Sequence, residues 1–134
     1  MSAAGVATPN PSLVMALRMG IRGAFVVQLI LGIAFWTGHL DQLIPFHRLL
    51  GIALVLAVWA MAYVAARAGV NGRLVMVAVL WDLVAPVLGL TQEGILPGGF
   101  HWTVQILHLV VGFGLIGLAE NMARRLSSGA ARLG

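Results

Sequence analysis

Four apolar stretches of 16 to 18 residues, bounded by charged residues, prolines or glycines, constrain the fold of this chain most strongly. About 20 helical residues cross the ~30 Å hydrocarbon core of a bilayer, and each stretch reaches that length once its amphipathic ends are included. The chain is therefore predicted to be all-α, an integral membrane four-helix bundle that forms one domain over residues 1–134. The predicted transmembrane spans are residues 19–38, 47–67, 73–91 and 101–121.

The composition excludes an ordinary soluble protein, because 60% of the residues are hydrophobic and only 9% are charged, against about 25% charged in soluble domains. Eight arginines, no lysine and four acids give a formal charge of +4. The arginines lie between apolar stretches, where no basic face forms, so the expected partner is the lipid bilayer and not nucleic acid. The absence of cysteine from the sequence excludes disulfides, iron–sulfur clusters, thiolate metal sites and covalently attached c-type haem.

The arginines are distributed unevenly between the two ends of the predicted bundle. One end carries seven of them, whereas the other carries only Arg48. The seven are Arg18, Arg22, Arg67, Arg73, Arg124, Arg125 and Arg132. By the positive-inside rule, both termini are predicted to be cytoplasmic. Because no small-x-small cleavage pattern follows the first apolar stretch, we expect it to be retained as a helix and not removed as a signal peptide.

The connections between the apolar stretches predict which helices are neighbours. Residues 68–72 read as a tight turn with glycine and asparagine available for positive φ, so the second and third helices are expected to be antiparallel neighbours. Trp36 and Trp102 lie where an aromatic belt at the membrane interface is expected. The first dozen residues and the tail after Arg125 are rich in small residues and proline, and we expect them to be frayed.

Ionisable or strongly hydrogen-bonding groups inside a membrane span usually have a function, so they define the candidate sites. They are Gln28, Asp82, Gln105 and His108 within the spans, and His39, His47 and His101 at the outer ends. All four histidines belong to the outer half of the predicted bundle. Asp82 is expected to be protonated and hydrogen-bonded, with Gln28 or Gln105 as partner; ion pairing and a role in a proton path are the alternatives.

His47 and His108 occur in a repeated His-x-x-x-Gly pattern, completed by Gly51 and Gly112. The repeat predicts that helices 1–2 and 3–4 are two copies of one hairpin, related by a pseudo-twofold axis that brings helices 2 and 4 face to face. Two imidazoles that face each other across a bundle suit the two axial positions of a haem iron. Each glycine lies one turn from its histidine on the same face, which leaves room for a flat porphyrin. The alternatives are glycines that only allow close helix packing and histidines that only pack or face the interface.

The segment from Phe46 to Gly51, Phe-His-Arg-Leu-Leu-Gly, resembles the second helix of small bacterial four-helix transmembrane cytochromes b, in which a His-Lys/Arg-x-x-Gly motif carries a haem ligand. Residues 87–109 resemble helices 3 and 4 of one four-helix half of haem A synthase, through Val-Leu-Gly-Leu at 87–90, Leu-Pro at 96–97 and Leu-His-Leu at 107–109. Each half of that family holds a haem between histidines on its second and fourth helices. The resemblance covers about residues 20–120 and implies that His47 and His108 are the axial ligands.

The resemblance implies a b-type haem protein of a bacterial inner membrane. It would hold haem b non-covalently and pass electrons from quinol to an acceptor on the outer side, or to a small oxidant such as oxygen or superoxide. Whether the chain is itself a haem-dependent oxidoreductase stays open, as does its assembly into a homo-oligomer. For His39 and His101 three roles stay open: ligation of a second haem, contact with haem propionates, and binding of a quinone head group. Arg48 is expected to bind a propionate through two hydrogen bonds.

A second hypothesis, from a different class, is a non-redox four-helix membrane protein. It would be a small transporter that uses Asp82 for protons, or a structural subunit of a larger membrane complex. The two hypotheses differ in whether the purified protein absorbs visible light, because only a haem protein shows the Soret band and the split bands of the reduced cofactor.

Overall fold

The computed structural model describes residues 8–130, and four α-helices make up most of this part of the chain. They are α1 (Pro11–Trp36), α2 (Ile44–Arg67), α3 (Gly72–Thr91) and α4 (His101–Ala130). Short 3-10 helices at Asp41–Leu43 and Gln92–Gly94 precede α2 and follow α3. No strand occurs within residues 8–130. All four α-helices are long and apolar enough to cross a membrane, which confirms an all-α fold of multi-pass membrane type.

Two helix ends extend beyond the predicted spans. The Asn10 side chain accepts hydrogen bonds from the amides of Ser12 (2.9 Å) and Leu13 (3.4 Å), so α1 begins at Pro11. An asparagine cap followed by proline is a strong helix start, because it satisfies amides that the first turn leaves unpaired. At the other end α4 continues to Ala130, with Leu126 buried. The expectation of frayed segments is therefore wrong for residues 11–12 and 126–130, and its remainder lies partly outside the described residues.

The four helices pack as a square in which each helix contacts the next and α4 returns to α1. The α2–α3 turn is tight, with Gly69 at φ +73° and the Asn71 side chain accepting from the Arg73 amide, which confirms that α2 and α3 are antiparallel neighbours. The start of α1, the end of α4 and the α2–α3 turn lie at one end of the bundle, called here the terminal end. The α1–α2 and α3–α4 connections lie at the other, called the loop end. Of the two diagonal pairs, α2 and α4 make the closer contact.

The buried core occupies the middle and the terminal end of the bundle. Val58, Met61 and Ala65 of α2 pack with Leu115 and Met122 of α4, all at most 2% exposed. Large apolar side chains also cover the outward faces of all four helices, as expected where lipid replaces water. Towards the loop end this core gives way to the histidines and glycines of α2 and α4.

Two specific contacts fix the helix pairs. Glu120 of α4 pairs with Arg18 (2.7 Å) and Arg22 (2.6 Å), which lie one turn apart on α1. Trp81 of α3 donates its indole N–H to the carbonyl of Val111 on α4 at 3.0 Å. Gly114 makes the second contact possible, because a Cβ atom there would lie 2.5 to 2.7 Å from the indole ring.

Candidate functional site

A cavity of about 420 Å³ lies between the four helices at the loop end of the bundle. Its volume falls within the roughly 300 to 1,000 Å³ typical of small-molecule and cofactor sites. All four helices contribute to its wall, which is mainly apolar. Six of the seven residues proposed to bind a cofactor line it: His47, Arg48, Gly51, His101, His108 and Gly112.

The structure brings His47 of α2 and His108 of α4 together across the diagonal of the bundle. Their ring centroids are 6.5 Å apart, and the ring planes are inclined at 54°. Both side chains are half-buried and line the cavity. The juxtaposition of the two histidines that the repeated His-x-x-x-Gly pattern predicted is thus present.

The ring nitrogens of these histidines differ in their surroundings. The Nδ1 atoms of His47 and His108 are enclosed and have no hydrogen-bond partner among the described residues. Neither Nε2 atom is enclosed in this way, and neither forms a hydrogen bond within residues 8–130. A neutral imidazole nitrogen that no donor occupies keeps its lone pair for a metal ion. Each histidine therefore lines the cavity with a ring nitrogen whose lone pair no hydrogen-bond donor of residues 8–130 occupies.

Each imidazole also lies beside a glycine of the preceding helix. A Cβ atom at Gly89 of α3 would come within 3.2 Å of His108 Cε1, and one at Gly32 of α1 within 4.0 Å of His47 Cε1. Phe35 packs its edge against the His47 ring, with the centroids 5.3 Å apart. The sequence reasoning missed these three residues. The signal that could have found these glycines is their position towards the outer ends of the first and third apolar stretches, near the depth of the histidines.

The glycines of the repeat lie at the cavity but face different neighbours. A Cβ atom at Gly51 would be 2.7 Å from Gln28 Nε2, whereas one at Gly112 would be 3.7 Å from Phe25 Cε2. Gln28 uses this space to donate a hydrogen bond from Nε2 to the main-chain carbonyl of His47, at 3.0 Å. Gly51 therefore lets α1 fix the backbone that carries His47, and the space expected there for a porphyrin is taken by Gln28; only Gly112 leaves room in the cavity wall.

Asp82 does not have the partners expected for it. It is fully buried in α3, and neither carboxylate oxygen has a hydrogen-bond partner among the described residues. The expected bond to Gln28 or Gln105 is therefore wrong. Gln28 belongs to α1, which packs against α2 and α4 and not closely against α3, and its amide N–H is already used by the His47 carbonyl. Gln105 lines the cavity instead.

Charged residues surround the mouth of the cavity. Arg48 Nη2 lies 2.8 Å from Glu93 Oε1. The arginine that was predicted to bind a haem propionate therefore has a carboxylate partner within the protein. Asp41 and His101 line the same mouth, and His101 Nδ1 lies 3.3 Å from the Ile95 carbonyl oxygen. Because both members of the Arg48–Glu93 pair are exposed, the pair is weak and an incoming anion can compete with it.

His39 lies apart from this group. Its side chain is exposed, and Nδ1 is 3.2 Å from the Thr37 hydroxyl oxygen. It does not line the cavity. Its position fits a histidine that faces the membrane interface, which leaves His101 as the additional histidine at the site.

The donor set selects the kind of metal group that fits. No three His, Cys, Asp or Glu side chains of the described residues converge on a point that could hold a metal ion alone. Two imidazoles can serve a metal whose remaining ligands come from a cofactor, as porphyrin nitrogens do. Metal–imidazole bonds of about 2 Å on opposite sides of one ion separate the two ligating nitrogens by about 4 Å, with the ring centres further apart. The observed 6.5 Å between ring centroids is compatible with this arrangement.

Comparisons of the chain with protein-family models, with curated proteins and with solved structures find no significant match.

Proposed function

We propose that the protein binds one haem b between His47 and His108 and acts in electron transfer within the membrane. The observation that carries this proposal is the pair of imidazoles opposed across an apolar cavity of cofactor size. Haem supplies one-electron chemistry when bound, and the protein sets its ligands, surroundings and access.

The chain's own residues have distinct roles in this proposal. His47 and His108 donate nitrogen lone pairs, Gly112 leaves volume that a flat macrocycle needs, and Gly51 admits the Gln28 amide that holds the His47 main chain. The apolar wall excludes water, which strengthens every charge interaction inside the cavity. Arg48 and His101 at the mouth are placed to meet the anionic edge of the cofactor, in competition with Glu93.

The arginine distribution supports a direction for electron transfer. With the arginine-rich terminal end in the cytoplasm of a bacterium, the cavity lies in the outer half of the inner membrane. Quinol in the bilayer is then the proposed donor, and an outer-side protein or a small oxidant the acceptor. The glycine that lies beside each histidine on the preceding helix supports the interpretation of two related hairpins.

Absorption spectra and haem content test the proposal directly. The full chain is purified in detergent from membranes of a haem-supplied host, and haem is extracted and quantified per polypeptide. We expect close to one haem b per chain, with a Soret band and split bands after reduction. Colourless protein from haem-replete membranes would contradict the proposal.

The charged mouth gives a prediction about reduction potential. We expect Arg48→Gln to lower the potential of the bound haem and to weaken its retention, because a positive charge near the iron favours the reduced state. Glu93→Gln, which removes the opposing charge of the same ion pair, is the matched variant and is expected to raise the potential. A redox titration in which neither substitution shifts the midpoint would show that the pair lies too far from the cofactor to affect it.

A second candidate function is proton movement without redox chemistry. It rests on Asp82, whose buried carboxyl group lacks a partner among the described residues. The test is a pH-gradient assay in proteoliposomes. Dissipation by colourless wild-type protein, lost in Asp82→Asn, would favour this function over haem binding.

A further inference from the structure

Asp82 has the most enclosed carboxyl group of the described residues. It is 0% exposed, whereas Asp41 and Glu93 are exposed and the Glu120 side chain is 17% exposed and paired with two arginines. Both Asp82 oxygens are enclosed and have no donor among residues 8–130. An ionised carboxylate in such a place is strongly disfavoured unless a positive charge or a proton neutralises it.

The elements packed against α3 are α2, α4 and the short 3-10 helix Gln92–Gly94, whose titratable side chain is Glu93. On α2 the titratable side chains are His47, Arg48, Tyr63 and Arg67. On α4 they are His101, His108, Glu120, Arg124 and Arg125. None of them forms a hydrogen bond or an ion pair with Asp82, and Arg73 of α3 itself does not either. Because the described residues also offer no cluster that could hold a metal ion, the proton is the cation that fits.

Pro86 connects the turn of Asp82 to the cavity. Proline has no N–H, so the main-chain carbonyl of Asp82, four residues earlier, has no helical hydrogen-bond donor. A main-chain carbonyl that lacks its usual helical donor therefore lies within the same turn as the buried carboxyl group. Ala85, Pro86 and Gly89, on the following turns of α3, line the cavity wall. Asp82 is thus about one turn away from the space that the proposed cofactor occupies.

We propose that Asp82 is a proton-binding site inside the membrane, and that it takes up one proton when the cofactor in the cavity is reduced. The second half of this proposal rests on the proposed function. A haem held by His47 and His108 would lose one positive charge on reduction, and with it the electrostatic support for an ionised carboxylate at Asp82. Oxidation of quinol to quinone supplies two electrons and releases two protons, so one proton accompanies each electron, and its uptake would convert the Asp82 carboxylate into a neutral carboxylic acid.

The test combines infrared difference spectroscopy with potentiometry on the haem-loaded full chain, using dithionite as the reductant. We expect reduction of the wild type to produce a carboxylic acid C=O band that shifts in D₂O. Asp82→Asn is expected to abolish the band and to reduce at least twofold the slope of midpoint potential against pH. Asp41→Asn is the matched control, because it makes the same chemical change at an exposed carboxyl group at the cavity mouth. It is expected to keep the band.

The sequence offers a second measurement that does not depend on a variant. It contains only two aspartates, Asp41 and Asp82, so ¹³C-aspartate labelling marks just these two carboxyl side chains. We expect the label to shift the band of the wild-type protein. A reduction-linked band that the label leaves unshifted, or that Asp82→Asn retains, would overturn the proposal, as would its absence from haem-loaded wild type.

Failure of the proposed function can be told apart from failure of the proton site. If the purified protein is colourless, an infrared titration of the labelled protein against pH still tests Asp82 alone. A labelled carboxylic acid band that disappears as the pH rises, and is missing in Asp82→Asn, supports the proton site without a haem. Absence of any such band overturns it.

Discussion

Substitution of His47 or His108 by alanine is expected to remove most of the bound haem. Each variant takes away one of the two nitrogens that meet across the cavity, and the remaining histidine cannot hold the iron from both sides. A loss of affinity of at least about tenfold requires only ~1.4 kcal/mol, which is modest for a lost coordination bond. Extracted haem per polypeptide measures the effect, and the absorption spectrum of any residual haem reports a change of ligand.

His39→Ala is the matched control for this pair, because His39 is exposed and lies outside the cavity wall. It is expected to retain haem. His101→Ala removes a histidine at the mouth, so its haem content separates a supporting role from ligation. If His39 or His101 proves indispensable and His108 dispensable, the pairing of His47 with His108 is wrong.

Gly112→Leu and Gly114→Leu are expected to fail in different ways, although they change residues only two positions apart on α4. Gly112 lines the cavity, and the nearest side-chain atom to an added Cβ would be 3.7 Å away. A leucine there has room, so the helices keep their packing while the side chain occupies the volume proposed for the porphyrin. We expect Gly112→Leu to fold and to lose haem.

Gly114→Leu acts on the contact between α3 and α4. Its Cβ would lie 2.5 Å from the Trp81 indole nitrogen, so the ring must leave its position and give up its hydrogen bond to Val111. Overpacking of this kind typically costs about 1 to 3 kcal/mol. Thermal unfolding in detergent, measured on both apoproteins, distinguishes the variants: Gly114→Leu lowers the midpoint and Gly112→Leu leaves it nearly unchanged. If both substitutions lower the unfolding midpoint by the same amount, both glycines serve helix packing.

The fold was predictable because lipid imposes a length on each apolar segment. The four stretches, the turn around Gly69 and the antiparallel α2–α3 pair all follow from that requirement and from turn chemistry. The start of α1 at Pro11 could also have been predicted, because asparagine followed by proline is a standard helix start signal. The small residues around it favoured the prediction of a frayed segment instead. The encounter of His47 with His108 was predictable from the repeated spacing of histidine and glycine.

Contacts that depend on helix rotation were not predictable. In a soluble bundle the apolar stripe shows which face turns inward, but here apolar side chains cover the outward faces as well. The sequence therefore did not show that Gly89 faces His108, or that the Asp82 carboxyl group faces no hydrogen-bond partner. For the same reason the sequence did not show that Gln28 donates its hydrogen bond to the His47 carbonyl and not to Asp82.

The pairing of Glu120 with Arg18 and Arg22 has a consequence for biogenesis. These partners are 102 and 98 positions apart, so α1 carries two guanidinium groups whose carboxylate is synthesised about a hundred residues later. Until α4 arrives, α1 must satisfy those charges with water and lipid phosphates. The joint between α1 and α4 therefore closes only after Glu120 has been synthesised, and a nascent chain that has not reached Glu120 cannot close the ring of α1 to α4.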